Sequence, residues 1–166
     1  MRFALTLLVL VFGCGDDDVP PGCEFPTMAG PDNREVVIGT LRSGPEPIGE
    51  RFTEWLDGED QPLVFGFQGG YMVVPTVRIS AMPEDPPGLC ASVLIQNRSD
   101  RARVDSGAEL ARELIPLDGY LWAGPFDNLL AFDLNDVENE EVTVSITVTT
   151  EQFQSADSAT FTAVLD

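Results

Sequence analysis

The sequence predicts an all-β sandwich, one domain over residues 34–166, and three observations predict it. From about Arg34 onward apolar residues recur with a period of two, most plainly in Val142-Thr143-Val144-Ser145-Ile146-Thr147-Val148-Thr149, where one face is aliphatic and the other carries hydroxyls. β-Branched residues dominate these runs and suit a pleated, half-buried surface. Gly, Pro and Asp turns interrupt the chain at short, regular intervals, the pattern of a sandwich rather than of alternating β and α units. A length of 166 residues fits one domain of ordinary size.

Taken in chain order, the predicted strands are Glu35 to Thr40, Leu63 to Phe67, Tyr71 to Ser80, Cys90 to Gln96, Gly119 to Ala123 and Leu129 to Leu134. Turn signals separate them at Gly44-Pro45, Asp57-Gly58, Gln68-Gly69-Gly70, Pro86-Pro87-Gly88, Asp118-Gly119 and Gly124-Pro125. Val142 to Thr149 and Ser158 to Leu165 flank the polar stretch Glu151 to Asp157 and read as a terminal hairpin. Two stretches have helical character. Ala108 to Ile115 offers helix formers, with Leu110 and Leu114 at i, i+4 and Pro116 as a stop; Pro47 to Trp55 has room for a single turn. The terminal hairpin and the strand count resemble antiparallel immunoglobulin-like or fibronectin-type domains of bacterial surface proteins.

Ahead of this domain, Arg2 precedes ten apolar or near-apolar residues, Phe3 to Phe12. That run is too short for a membrane span, which needs about 20 residues, and has the layout of a signal peptide. Its end, Val11-Phe12-Gly13-Cys14, resembles the lipobox of bacterial lipoproteins, in which the small residue marks the cleavage point and the Cys thiol receives diacylglycerol; Phe12 departs from the usual smaller residue. The resemblance implies a signal peptide over residues 1–13, a lipid anchor at Cys14 and insertion of the mature protein into a membrane of the cell envelope. Residues 14–33 are acidic, rich in Pro and Gly and without periodicity, as a tether is. By the sorting rule of enteric lipoproteins, Gly15 after the Cys, where Asp would signal retention in the inner membrane, implies the outer membrane, on its periplasmic or surface face. Lipidation removes one of three cysteines and leaves Cys23 and Cys90, which in an oxidising compartment form a disulfide. Connectivity is not fixed by sequence: two free thiols, or Cys14 bonded to Cys23 if Cys14 carries no lipid, are the alternatives.

Composition excludes several functions. Against 28 Asp and Glu stand nine basic residues, every one of them Arg, and the net charge is −19. Without His or Lys there is no imidazole catalysis, Schiff base or P-loop lysine. Such acidity repels polyphosphates, so nucleic acid is excluded as a partner. A hydrolase working through two carboxylates needs only a pair held roughly 5–10 Å apart; with 28 acids some pair meets that distance by chance, so no catalytic residue is assigned and the chain reads as non-enzymatic.

Two segments are candidate ligand sites. Asp133-Leu134-Asn135-Asp136-Val137-Glu138-Asn139-Glu140-Glu141 packs five acids and two amides into nine residues, a density of hard oxygen donors that suits Ca²⁺, with Asp133, Asn135, Asp136 and Glu138 as ligands. Its start resembles the D-x-N-D-N signature of cadherin-type calcium linkers, although Val137 stands in place of the last Asn. The alternative is a solvated loop between strands. Gln68-Gly69-Gly70-Tyr71 combines two glycines, which permit close backbone approach, with a ring that could stack on a sugar; the alternative is a hairpin turn with positive φ at Gly69 and Gly70, and Tyr71 packed on a neighbour. The stretch Asp57 to Tyr71 is similar to a D-G-x-x-x-P-L-x-x-G-x-Q-G-G-aromatic sequence in uncharacterised exported proteins of predatory and soil bacteria, many of which carry His where this chain has Met72; that resemblance implies no activity. Trp55 and Trp122 are divided between core and sugar-binding roles, with at least one expected in the core. Arg98, Arg101 and Arg103, the only basic cluster, are expected to pair with acids such as Asp100 and Asp105. The expected function is therefore a lipid-anchored interaction or structural module whose partner is another envelope protein, with a small-ligand module for carbohydrate or Ca²⁺ as the alternative.

Overall fold

In a computed structural model of the protein, Cys23 and residues 34–67, 69–101 and 103–165 are described. Two sheets face each other across one core. The first has five strands in the order β2 (Phe52–Glu54), β1 (Val36–Leu41), β5 (Thr76–Ser80), β9 (Tyr120–Ala123) and β8 (Ile115–Leu117). The second has seven: β10 (Asn128–Ala131), β4 (Tyr71–Val73), β3 (Asp60–Phe65), β12 (Gln154–Leu165), β11 (Glu141–Thr150), β6 (Cys90–Ser99) and β7 (Asp105–Glu113). Helical structure among the described residues is limited to α1 (Ile48–Arg51) and a 3₁₀ turn at Leu134–Asp136. No helix among them is long and apolar enough to cross a membrane.

The alternation seen in the sequence sets which residues form the core. Val142, Val144, Ile146 and Val148 of β11 and Phe161 of β12 are fully buried, and they meet Ile38, Val77 and Ile79 of the opposite sheet in one apolar cluster. Each such side chain is worth about 1.5–3 kcal/mol of transfer free energy. On the wet face of the same strands the hydroxyls pair with one another, as Thr143 and Thr160 do at 2.9 Å. Trp55 belongs to this core, ring edge on Phe161 and Nε1–H donated to Thr40 Oγ1 at 2.7 Å. Trp122 is also buried, but in a second cluster with Val37 and Phe52. Arg78 lies over the rings of both Phe52 and Tyr120 there. Gly39 makes room for this packing, since a Cβ would stand 2.5 Å from the Phe52 ring.

Several expectations are corrected. Ala108 to Ile115 is not helical: it forms most of β7, paired with β6 over nine residues, then turns at the fully buried Leu114 into β8 of the other sheet. A spacing of four is one helical turn and also two pleats, so Leu110 and Leu114 fit both, and the partner strand decides. Tyr71 to Ser80 is two strands in different sheets, parted at Val74 and Pro75. Leu129 to Leu134 ends as a strand at Ala131. The helical turn within Pro47 to Trp55 is confined to α1, and the chain enters β2 at once. The terminal hairpin extends further than expected, its strands closing on Glu151 to Phe153. The sheets are not wholly antiparallel, because β12 runs parallel to β3.

Cys23 and Cys90 are joined by a disulfide. Beside it Arg34 Nη1 donates to both carboxylate oxygens of Asp85 at 2.7 Å, and its guanidinium lies 4.1 Å from the Phe153 ring centroid. Both charged side chains are nearly inaccessible. Arg34, at the start of the domain, is thus held to the β5–β6 connection by a desolvated ion pair, and Cys23 of the preceding segment is held covalently to the first residue of β6.

Candidate functional site: an aromatic tip beside an open seam

β3 and β4 form a hairpin with Phe65 opposite Tyr71 as its last pair. The loop is not the two-residue Gly-Gly turn expected. It spans five residues, closed by the Gly66 N–H donating to Gly70 O at 2.8 Å and the Gly69 N–H donating to Gly66 O at 3.0 Å. Gly69 has φ +81°, a left-handed conformation that costs glycine nothing. Gly70 does not have positive φ; it is needed because a Cβ there would run into Leu129 Cδ1 and stand 3.0 Å from the Ala131 carbonyl. The two glycines therefore serve different purposes, one bending the chain and one letting β10 come close.

That close approach brings rings together. Phe65 and Tyr71 meet edge to face with centroids 5.2 Å apart, and Phe132, just beyond β10, borders Gly70. Tyr71 is half-buried against the core, as the packing alternative required. At the same end of the β10–β4–β3 group Phe67 is 87% exposed, Phe132 70% and Phe65 62%. Single exposed apolar residues are ordinary, whereas three exposed phenylalanines at one end of a sheet are not. Sequence reading found Gly69, Gly70 and Tyr71 and missed Phe65, Phe67 and Phe132. Phe67 and Phe132 fall inside strands predicted from sequence, Leu63 to Phe67 and Leu129 to Leu134, which end in the structure at Phe65 and Ala131 and leave both residues beyond the ladder.

Next to Phe132 the second sheet nearly closes on itself. β10 and β7 are its two edges, and they are joined by side chains instead of a backbone ladder. Asn97 and Asn128 exchange amide hydrogen bonds at 2.8 Å, and Ser106 Oγ donates to Leu129 O at 3.0 Å. Asn97 is an inward-facing polar residue, 1% exposed, satisfied by this pair. Along the seam, Arg103, Asp105, Ser106, Leu129 to Phe132, Asp133 and Asp136 line an open concavity of about 360 Å³. This is near the lower end of the roughly 300–1,000 Å³ of small-molecule pockets.

The acidic loop is organised for its own structure. Asp133 Oδ1 accepts from the backbone N–H of Asn135 at 2.9 Å and from its side-chain amide at 2.8 Å, capping the 3₁₀ turn. These bonds hold the Asp133 carboxyl below the usual carboxylate range. Asn135 O accepts from Arg103 at 3.3 Å. Asp133, Asn135, Asp136 and Glu138 do not converge on a common point, and no group of three acids, His or Cys among the described residues is placed to hold a metal ion. The arginine cluster meets acids, as expected, Glu140 among them. Arg98 stands opposite Asp105 across β6 and β7, whereas Arg101 reaches Glu140 at 3.8 Å. Cys14, the lipidation candidate, lies outside the described residues. No protein-family model, curated protein or solved structure matches the chain.

Proposed function

We propose that this protein is a lipid-anchored component of a bacterial cell envelope that works without catalysis, docking another envelope protein through its aromatic tip. The observation that carries the reading is the three phenylalanines exposed at one end of the β10–β4–β3 group, Phe65 at the end of β3, Phe67 in the loop and Phe132 after β10, in a chain of net charge −19; large rings left exposed at one end of a charged protein mark a surface covered in use. The lipobox-like Val11-Phe12-Gly13-Cys14 supports the anchor, the signal-peptide layout supports export, and Gly15 supports the outer membrane. A disulfide between Cys23 and Cys90 fits an oxidising compartment. Two facing sheets with a bridged cysteine pair support the immunoglobulin-like type, with the parallel β12–β3 pair and the nearly closed second sheet as departures from it. A sugar would use the same rings by stacking, and so competes at the same place; Ca²⁺ has no converging ligand set to support it.

The test is recovery of the protein from membranes of its own host, in native form and with Cys14→Ser, followed by crosslinking with and without Phe67→Ser and Phe132→Ser. The reading expects acyl mass on a chain beginning at Cys14, loss from the membrane in the Ser variant, and a crosslinked protein partner that disappears when the two rings are removed. A partner retained without the rings, or a shift in melting temperature with glycans alone, overturns it.

A further inference from the structure

The outward face of the five-stranded sheet carries hydrogen-bond donors that lack acceptors. Strand register defines this face: Val37, Arg78, Trp122 and Ile115 stand opposite one another across β1, β5, β9 and β8, and Tyr120 stands opposite Leu117 in the next row. Arg78 is half-buried, its guanidinium 4.8 Å from the Phe52 ring centroid and 4.9 Å from that of Tyr120. The rings attract the cation but supply no oxygen acceptor to its five N–H donors. Among the described residues Arg78 has no hydrogen bond or ion pair, although acids outnumber arginines 28 to nine. Glu35 and Glu54, acids of the same face, are not paired with it: Glu35 accepts from Ser80 Oγ at 3.3 Å, and Glu54 stands opposite Gly39. Thr76, two residues before Arg78 and on the same face, is 1% exposed, and its hydroxyl has no partner among the described residues. Buried polar groups in native folds are ordinarily met. Both side chains can donate, and neither has an acceptor.

Around them the face is apolar. Val37, Phe52 and Trp122 pack into one cluster, and Ile115 and Leu117 on the edge strand β8 are 57% and 45% exposed. Neighbouring strands lie about 4.8 Å apart, which places Ile115 roughly 10 Å from Arg78 across the sheet. We infer that this face docks a segment of another protein that presents one carboxylate to Arg78 and, about 10 Å away, apolar side chains to Ile115 and Leu117. A carboxylate matches the guanidinium fork with two parallel hydrogen bonds, and the flanking rings keep water from the pair, which strengthens it. Phosphate is the poorer match, because a chain of net charge −19 repels a dianion more than a single carboxylate. A second copy sets one net charge of −19 against another, so the occupant is a different protein. The surface lies on the other sheet from the aromatic tip and is a second docking surface, independent of it.

The probe is a fluorescently labelled, end-blocked peptide of Leu and Ser with a single Glu, compared with its Gln counterpart by anisotropy at about 150 mM salt, where distant charge is screened. The full chain is expected to bind the Glu peptide at least about tenfold more tightly than the Gln peptide. Arg78→Met, whose side chain still covers the Phe52 and Tyr120 rings, is expected to abolish that preference. Arg78→Lys is expected to keep part of it, being a point charge without the planar fork. Arg98→Gln, which removes an exposed charge from β6 of the other sheet, is expected to leave it within about twofold. Ile115→Ser with Leu117→Ser is expected to weaken both peptides alike. Amide shifts on binding are expected at Thr76 to Ser80 and Ile115 to Ala123. Absence of binding, equal binding of the two peptides, a preference kept in Arg78→Met or lost in Arg98→Gln, or shifts elsewhere overturns the inference. So does hexanoate that binds as tightly as the Glu peptide, which would make the ligand a free small acid. Should Arg78→Met fail to fold, an undiminished preference in Arg78→Lys overturns it as well.

Discussion

Gly70 and Asp85 show how much of this structure rests on single positions. Gly70→Ala leaves φ permissible but places a methyl against Leu129 and the Ala131 carbonyl; because one of the two is backbone, relief requires β10 to move. The expected cost is about 1–3 kcal/mol, read by chemical denaturation, together with greater exposure of the Tyr71 ring. Asp85→Ala takes the carboxylate from a guanidinium that is itself buried, and removal of one partner of such a pair costs about 3–5 kcal/mol. Asp133 is fully exposed, and its effect lies in pH. With its carboxyl held low by Asn135, its contribution is complete above the unfolded Asp value and is lost as pH falls through the lower folded value. A carboxyl-carbon NMR titration is expected to give Asp133 a midpoint below 3.8, the ordinary Asp value. A midpoint at or above it would show that the Asn135 bonds do not form in solution.

Among the elements, β7 is the most exposed to error, a nine-residue edge strand without proline. Long free edges invite pairing with other chains, and charge is a common guard. Replacing Asp105, Glu109 and Glu113 together by Thr keeps strand propensity and removes the charges. The expected result is concentration-dependent self-association, measured by light scattering after size exclusion, where the wild type stays monomeric. Which elements could be read in advance follows the same physics. β11 and β12 were legible because alternation over eight residues admits one interpretation. β7 was not, because A-E-L-A-R-E-L-I satisfies both periods and its strand partner lies outside the window. The break at Val74 and Pro75 was hidden inside a continuous apolar run, since passage from one sheet to the other keeps both segments buried. At the tip, the glycines were visible as punctuation, but Phe65, Phe67 and Phe132 are brought to one end of the sheet only by the β3–β4 and β4–β10 pairings.

For the molecule as a whole, the disulfide and the strand order set the stability. Cys23 and Cys90 are 67 residues apart, and closing a loop of that length removes unfolded-state entropy worth about 4 kcal/mol. Reduction is expected to lower the thermal midpoint by many degrees, and a midpoint unchanged by reductant would show that the bridge restrains little. Placement of β12 has a consequence of another kind. It is the final strand, yet it lies in the middle of the seven-stranded sheet, with β11 on one side and β3, about a hundred residues earlier, on the other. Until residues 154–165 are available the β3–β4–β10 group and the β11–β6–β7 group share no backbone ladder and meet only through side chains at the β10–β7 seam. Of the described strands, the one latest in sequence thus completes the sheet. A chain halted before residue 154 holds most residues of the sandwich and lacks the strand that ladders its two halves together.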